Sequence, residues 1–217
     1  IHRNPLCGRN FEYFSEDPVL SGNIAAAYIN GIQSNGVGTS LKHYAFNNQE
    51  TRRLGTDARV SQRAAREIYL KPFEIAVKKS QPWTVMSSYN KVNGEYTNSR
   101  RDLLTDILRN EWGFQGIVVT DWGGFFDATK CIGSGNDLVQ PGSPDFINQI
   151  IEAVESGKLS EKDVDTSVRR MLEYIVKTPR FNQYKFDSRP DLKAHAQLVR
   201  EAAADGTVLL KNDGGVL

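Results

Sequence analysis

Short apolar runs alternate with longer amphipathic segments along this chain of 217 residues. Runs rich in β-branched and aromatic residues predict strands, and they cover residues 38–46, 83–89, 116–120 and 137–140. The segments between them carry apolar residues three and four positions apart, which is typical of helices. Strands and helices that alternate in this way indicate parallel βα units.

Three amphipathic segments predict helices outside the region 147–175. Residues 63–79 form the first, with Ile68, Phe73 and Val77 inward and a kink expected at Pro72. Residues 102–109 and 192–204 form the other two. Residues 207–210 then predict one more strand, which indicates the beginning of a second domain.

Two further helices are predicted within the region 147–175. Ser160 and Asp163 resemble a capping pair at the start of the second of these helices. Apolar residues at helical spacing predict one buried face on each helix. The first face holds Ile147, Ile150, Ile151 and Val154, and the second holds Val164, Val168, Met171, Leu172 and Ile175.

The carboxyl ends of three predicted strands carry polar residues. Lys42 and His43 lie near the end of the first strand, and Tyr89 lies at the end of the second. Asp121 and Trp122 come directly after the third. In a parallel βα fold the reactive residues occupy this edge of the sheet, so these residues are the candidates for a functional site.

Asp121 follows a run of β-branched residues, a pattern suited to a strand that is buried on both faces. A carboxylate there can meet a ligand at the mouth of the sheet, and Trp122 offers a flat apolar face to a sugar ring. Gly123 and Gly124 would allow close backbone approach. The alternative is an Asp that caps the next helix beside a Trp of the core, and position alone leaves both interpretations open.

Lys42 and His43 could donate hydrogen bonds to neighbouring hydroxyl groups of one sugar ring. The alternative, a surface Lys beside a structural His, is favoured for the pair taken alone. Glu50 lies seven positions after His43 and makes no recognised ligand motif with it. We therefore expect no metal site.

Three arginines and the second strand offer further candidates. Arg9, Arg52 and Arg53 could hold a sugar, although ion pairs of the scaffold are favoured for each one alone. Tyr89 could hydrogen-bond a catalytic carboxylate, and Met86 could line a sugar pocket. The segment that contains them also fits an ordinary strand followed by a turn at 93–94.

Composition and charge exclude several classes of function. Lys and Arg number 27 against 26 Asp and Glu, so the net charge of +1 gives no reason to expect nucleic acid or a membrane surface as partner. The sequence has no glycine-rich phosphate loop, nucleotide fingerprint or Gly-x-Ser-x-Gly elbow, and we expect no cofactor. Cys7 and Cys131 are expected to be buried thiols, with one disulfide between them as the alternative. The cellular location stays open, with the cytoplasm slightly favoured.

Four segments together resemble glycoside hydrolase family 3, the β-glucosidase family. They read CGRNFEYFSEDP at 7–18, KHYAFNNQE at 42–50, VMSSYN at 85–90 and VTDWG at 119–123. Their order and spacing agree with those of the family, and the resemblance runs nearly end to end.

The resemblance implies a (β/α)8 TIM-type barrel that leads into an α/β sandwich domain. Residues 1–178 would be the C-terminal portion of a barrel truncated at its N-terminal side, and residues 179–206 a linker and helix. Residues 207–217 would begin the sandwich domain, whose remainder is absent. The expected partners are the missing segments of the same protein and a β-glucoside or oligosaccharide substrate.

The resemblance also implies a retaining β-glucosidase in which Asp121 is the nucleophile. The family's acid/base Glu comes from the sandwich domain, so we expect it outside this chain. A non-catalytic carbohydrate-binding fragment, a β-xylosidase and a phosphorylase are the alternatives. The residues that would hold the substrate are Arg9, Lys42, His43, Arg53, Met86, Tyr89 and Trp122.

Overall fold

The structure, a computed structural model, describes residues 1–124, 127–185 and 187–215. Within that part the chain divides into two units, Ile1–Asn182 and Gln183–Leu217. Its α-helices are α1 (Pro18–Gln33), α2 (Gln62–Ala64), α3 (Lys71–Ser80), α4 (Ala128–Ser134), α5 (Pro144–Glu155), α6 (Glu161–Lys177) and α7 (Leu192–Gly206). Its strands are β1 (Ser40–Tyr44), β2 (Asp57–Ala58), β3 (Thr84–Ser87), β4 (Lys91–Val92), β5 (Glu95–Tyr96) and β6 (Ile117–Thr120).

The main sheet of the first unit is parallel and has the strand order β1-β3-β6. Ser87 is in register with Tyr44 on one side and with Thr120 on the other, so the three carboxyl ends are level. Residues 137–140, predicted as a fourth strand, contribute one bridged residue, Leu138, which pairs in parallel with Val119. The order confirms the predicted parallel βα arrangement.

Helices cover one side of this sheet and bury its apolar side chains. Tyr44, Val85 and Val118 come from the three strands and pack in one cluster with Val77 of α3 and Leu104. All four residues of β6 are buried, as their β-branched pattern predicts. Each such side chain stabilises the fold by about 1.5–3 kcal/mol through burial, so the core fixes the strands whose ends carry the polar residues.

The predicted helix at 63–79 is divided into three parts. After the short α2, residues Ala65–Tyr69 are π-helical, and α3 begins at Lys71. Pro72 therefore stands in the first turn of α3, where its missing N–H costs no hydrogen bond, and it marks a helix start instead of the expected kink. The helix predicted at 102–109 is the π-helical segment Asp102–Glu111.

A small second sheet, missed in the sequence, joins β2, β4 and β5. β4 and β5 form a hairpin whose turn residues Asn93 and Gly94 have φ values of 51° and 99°. Positive φ at both positions is what a tight two-residue hairpin turn requires, and it confirms the predicted turn. The strands themselves have two residues each, too few for a periodicity to predict.

The predicted buried face of α6 is wrong for three of its five residues, whereas Val164 and Met171 are half-buried. Val168, Leu172 and Ile175 are 51%, 58% and 43% exposed, whereas Ser167 is buried. The helix turns its polar side inward because Ser167 Oγ donates to the Asp137 carbonyl at 3.2 Å and Arg170 Nη1 lies 3.2 Å from Asp137 Oδ1. Two residues on the inward side of α6 therefore contact the buried Asp137.

The same correction applies to α5. Ile147 and Ile151 are 60% and 49% exposed, Ile150 and Val154 are half-buried, and Ala153 is the buried residue of the helix. The spacing correctly placed the four apolar residues on one side, but it carries no information on what packs against that side.

The Asp137 carboxylate is buried beside β6 and has a partner on each oxygen. Oδ2 accepts from the Val118 N–H at 2.7 Å and from Arg109 Nη2 at 2.5 Å, and Oδ1 faces Arg170. Burial, followed by the charge of Arg170, lowers the pKa of Arg109 to about 10 although Asp137 acts to raise it. Arg109 is thus protonated at neutral pH, and the group is a buried ion cluster.

The second unit contains α7, which confirms the helix predicted at 192–204. The Asp191 carboxylate caps it by accepting from the Ala194 N–H at 2.9 Å. Residues 207–210, predicted as a strand, pair with no strand among the described residues. A strand needs a neighbour to hydrogen-bond with, which β-propensity alone does not supply.

Candidate active site

The level ends of β1, β3 and β6 bring three of the predicted polar segments together. His43 lies in β1, Tyr89 follows β3 by two residues, and Asp121 follows β6 directly. The Asp121 N–H donates to the Ser87 carbonyl at 3.2 Å, so the ladder between β3 and β6 continues into the site. The backbone that presents Asp121 is therefore fixed by the sheet.

The two carboxylate oxygens of Asp121 are in different surroundings. Oδ1 accepts a hydrogen bond from the Trp122 N–H at 2.8 Å. Oδ2 accepts no hydrogen bond from the described residues, and His43 Nε2 lies 3.5 Å away. The residue is 9% exposed. Asp121 therefore has one oxygen that orients it and a second that is left open.

His43 is a neutral neighbour of this carboxylate. Its side chain is 1% exposed. Burial is the main cause that lowers its pKa to about 3, and the positive charges of Arg9 and Lys42 lower it further. At neutral pH the imidazole is uncharged, so its contact with Asp121 is not an ion pair and its two nitrogens offer one donor and one acceptor.

Tyr89 connects the turn after Asp121 to the arginine side of the site. Its hydroxyl donates to the Trp122 carbonyl at 2.5 Å, and the Arg53 guanidinium lies 4.7 Å from the centre of its ring. Burial raises the pKa of Tyr89, and the negative charge of Asp121 adds to this effect. Tyr89 therefore remains a hydrogen-bond donor beside the carboxylate.

The three predicted cations are held by two glutamates. Glu12 contacts both Arg9 Nε and Lys42 Nζ, and Arg53 Nη1 lies 3.1 Å from Glu50 Oε2. Arg9 also interacts electrostatically with Glu50, so each glutamate is close to more than one cation. Each glutamate lies three positions from its arginine in the sequence, which is the one weak signal that could have identified it.

Trp122 and Met86 lie at the margin of the cluster. Trp122 is 66% exposed, with its backbone tied to Asp121 and Tyr89. Met86 is half-buried on β3 opposite Val119. Neither side chain makes a hydrogen bond or ring contact with the cluster among the described residues. Arg52, the arginine next to Arg53, is exposed and has a φ of 53°.

The described residues also bear on features that would bind a metal ion or cross a membrane. No group of three or more His, Cys, Asp or Glu side chains suited to a metal occurs in the part that the structure describes. None of its helices is both long and apolar enough to cross a bilayer. Cys7 and Cys131 are both buried.

These features define an α/β protein with a polar, carboxylate-centred site at the carboxyl ends of its parallel strands. A sequence model described as the glycosyl hydrolase family 3 N terminal domain matches residues 1–174. The chain therefore belongs to glycosyl hydrolase family 3, which confirms the predicted family.

Known relatives match the whole chain. "Thermostable beta-glucosidase B" of Acetivibrio thermocellus is 51% identical over 218 residues, which cover 100% of the chain and 29% of the relative. "Exo-alpha-(1->6)-L-arabinopyranosidase" of Bifidobacterium longum is 47% identical over 221 residues, which cover 100% of the chain and 28% of the relative. The solved structure of beta-glucosidase 3B from Thermotoga neapolitana in complex with glucose has a TM-score of 0.95 at 51% identity, covering 99% of the chain and 31% of that protein. The chain thus spans less than a third of each, and the predicted fold class is confirmed.

Proposed function

We propose that this chain supplies the nucleophile and the sugar-binding cations of a retaining β-glycosidase. The observation that supports this most directly is the open Oδ2 of Asp121 beside neutral His43, with Oδ1 held by the Trp122 N–H. Most buried polar atoms in proteins are hydrogen-bonded, so a buried carboxylate oxygen without a hydrogen bond calls for an explanation. One oxygen that is oriented and one that is open suit nucleophilic attack.

The reaction follows a double displacement. Asp121 Oδ2 attacks the anomeric carbon while the bond from that carbon to the leaving oxygen breaks, and the leaving oxygen takes a proton from a carboxylic acid. Water then attacks the glycosyl ester, gives its proton to the same acid group and releases the sugar with retained configuration. The acid belongs about 5–5.5 Å from the nucleophile. We expect it outside the present residues, because Glu12 and Glu50 are both bound to cations.

The surrounding donors hold the terminal sugar. Arg9, Lys42 and Arg53 are cationic donors, and neutral His43 can both donate and accept. Together they would position the anomeric carbon for in-line attack. The exposed indole of Trp122 is placed to stack against a sugar ring next to the bond that breaks, and Met86 would form an apolar part of the pocket.

We propose β-D-glucosides as the substrate class, because beta-glucosidase is the name of several relatives that match the whole chain. An α-L-arabinopyranoside is the second candidate, since two bifidobacterial relatives carry that name at 47% identity. Both are pyranosides with an equatorial leaving group, so the same direction of attack serves both. Rates on aryl β-D-glucopyranoside and aryl α-L-arabinopyranoside would rank them.

A mechanism-based label tests the role of Asp121. The full-length gene product is incubated with 2-deoxy-2-fluoro-β-D-glucosyl fluoride, digested and analysed by mass spectrometry. We expect one fluoroglucosyl group on Asp121 and none in the Asp121→Asn variant. A label on another residue would contradict the assignment. Glucose binding without any turnover of aryl glycosides would instead support a carbohydrate-binding function.

A further inference from the structure

Glu12 lies between two of the cations that the proposed function assigns to the sugar. Its Oε1 contacts Arg9 Nε, and its Oε2 lies 3.0 Å from Lys42 Nζ. The Glu12 side chain is 20% exposed. One partly buried carboxylate therefore holds both cations, one on each oxygen.

This bridge joins two separate segments of the chain. Glu12 and Arg9 share a turn, because the Glu12 N–H donates to the Arg9 carbonyl at 3.2 Å, whereas Lys42 lies in β1. Both cations also act electrostatically on the buried imidazole of His43, which follows Lys42 in β1. Without Glu12, two positive charges would face each other there with no counter-charge between them.

The charge state of Glu12 suits this bridging position. Burial acts to raise its pKa, but hydrogen bonds from Lys42 and Arg9 together bring the pKa below its usual value. The carboxylate is therefore ionised at neutral pH, and it is a poor proton donor. Its contacts point to a role exerted through the two cations.

We infer that Glu12 is a positioning residue that sets the places of Arg9 and Lys42 for binding the terminal sugar. The inference rests on the proposed function. The two cations would hold the sugar both before and during the reaction, so their displacement weakens binding in both states. Such a loss raises KM and leaves kcat nearly unchanged.

The test compares Glu12→Gln, Lys42→Met and the double variant in the full-length gene product. Gln keeps the shape of Glu12 but turns an amide N–H₂ toward one of the two cations. We expect Glu12→Gln to raise KM for an aryl β-glucoside about tenfold, with kcat within about threefold. The dissociation constant of glucose, measured by calorimetry, should rise by a similar factor. In the Lys42→Met background the same change should have a much smaller effect, because one of its two cations is gone.

Glu74→Gln is the matched control. Glu74 also binds two cations, Lys71 at 3.0 Å and Lys78 at 2.7 Å, and its side chain is 23% exposed. Its pKa is lowered in the same way, by hydrogen bonds that outweigh burial. It lies on α3, away from the strand ends, so its substitution should leave KM, kcat and glucose binding unchanged.

The outcomes separate this inference from the proposed function. A wild-type protein without glycosidase activity would contradict the proposed function, and glucose binding by the variants would still test Glu12. The role of Glu12 would be overturned if Glu12→Gln left KM and glucose binding unchanged. It would also be overturned if the effects of Glu12→Gln and Lys42→Met on KM were fully additive. If Glu12→Gln does not fold, Glu12→Asp serves, because it keeps the charge but cannot reach both cations. It should raise KM less than Lys42→Met does, and a larger increase would contradict the inference.

Discussion

Two buried aspartates lie beside the strand β6 and differ in how their oxygens are satisfied. Asp137 has a fully buried side chain with Arg109, Arg170 and the Val118 N–H as partners. Asp121, at the other end of the same strand, accepts the Trp122 N–H on Oδ1, and its Oδ2 faces neutral His43 Nε2 at 3.5 Å.

The difference separates a structural carboxylate from one available for chemistry. The desolvation of Asp137 is offset by two cations and a backbone donor, so the group holds β6 in place and has no oxygen left to react. Asp121 is oriented by the hydrogen bond that its Oδ1 accepts, and its Oδ2 accepts none. A buried carboxylate with an unsatisfied oxygen is costly, and such a cost is commonly retained where the group has a function.

The largest expected effect is on activity when Asp121 is changed. Asp121→Asn keeps the shape and the hydrogen bond from the Trp122 N–H but removes the oxygen that we propose as the nucleophile. We expect kcat for an aryl β-glucoside to fall at least about 10³-fold in the full-length gene product. Thermal unfolding should stay within a few degrees of the wild type. A variant with more than a tenth of wild-type activity would show that Asp121 is not the nucleophile.

The next effect is on stability when Asp137 is changed. Asp137→Asn leaves Arg109 buried without its counter-charge, and we expect a loss of about 3 kcal/mol or more in the free energy of unfolding. Urea unfolding of the full-length gene product measures it. The exposed Asp106→Asn is the control and should change stability by less than about 0.5 kcal/mol. The comparison of the two aspartates fails if Asp137→Asn is as stable as this control.

The sequence predicted the part of the site that depends on strand ends. His43, Tyr89 and Asp121 each stand at or just after a strand that β-branched and aromatic residues predict, and parallel pairing then makes them neighbours. Position alone left a structural role equally open for Asp121 and favoured one for His43, and the resemblance to the family supplied the sugar-binding interpretation. Local pattern and topology predicted that these residues are neighbours, but not what they do.

The network around each aspartate could not be predicted in the same way. Glu12 meets Lys42 across 30 positions, and Arg109 meets Asp137 across 28. Such pairs depend on how whole elements pack, which periodicity does not specify. The error on α6 has the same origin, because Ser167 and Arg170 contact Asp137 while Val168, Leu172 and Ile175 stay exposed.

A smaller effect is expected when the hydroxyl beside Asp121 is removed. Tyr89→Phe leaves the Trp122 carbonyl without this donor and loosens the turn that carries the carboxylate. We expect kcat to fall about 10- to 100-fold, the value of one lost buried hydrogen bond. Tyr96→Phe is the control, because its hydroxyl also donates to a backbone carbonyl, that of Leu54 at 3.3 Å. Equal activities of the two variants would remove Tyr89 from the site.

The smallest expected effect concerns His43, whose imidazole should not titrate near neutral pH. If His43 were protonated, Asp121 would face a cation as Asp137 does, and the contrast between the two carboxylates would disappear. With a pKa of about 3, set mainly by burial, the imidazole signals of His43 in NMR spectra should stay constant from pH 8 to pH 5. A titration midpoint in that range would contradict the contrast.

The effect on stability has a definite sign. The folded pKa of His43 lies below the ordinary value of 6.5, so below that pH the unfolded chain binds a proton that the folded chain refuses. The contribution of His43 to the free energy of unfolding therefore falls as the pH decreases from 6.5 to about 3 and levels off below that range. Lys42→Met should raise the pKa of His43 only partly, because burial remains the largest cause. A return to 6.5 in that variant would show that charge repulsion, rather than burial, keeps the neighbour of Asp121 neutral.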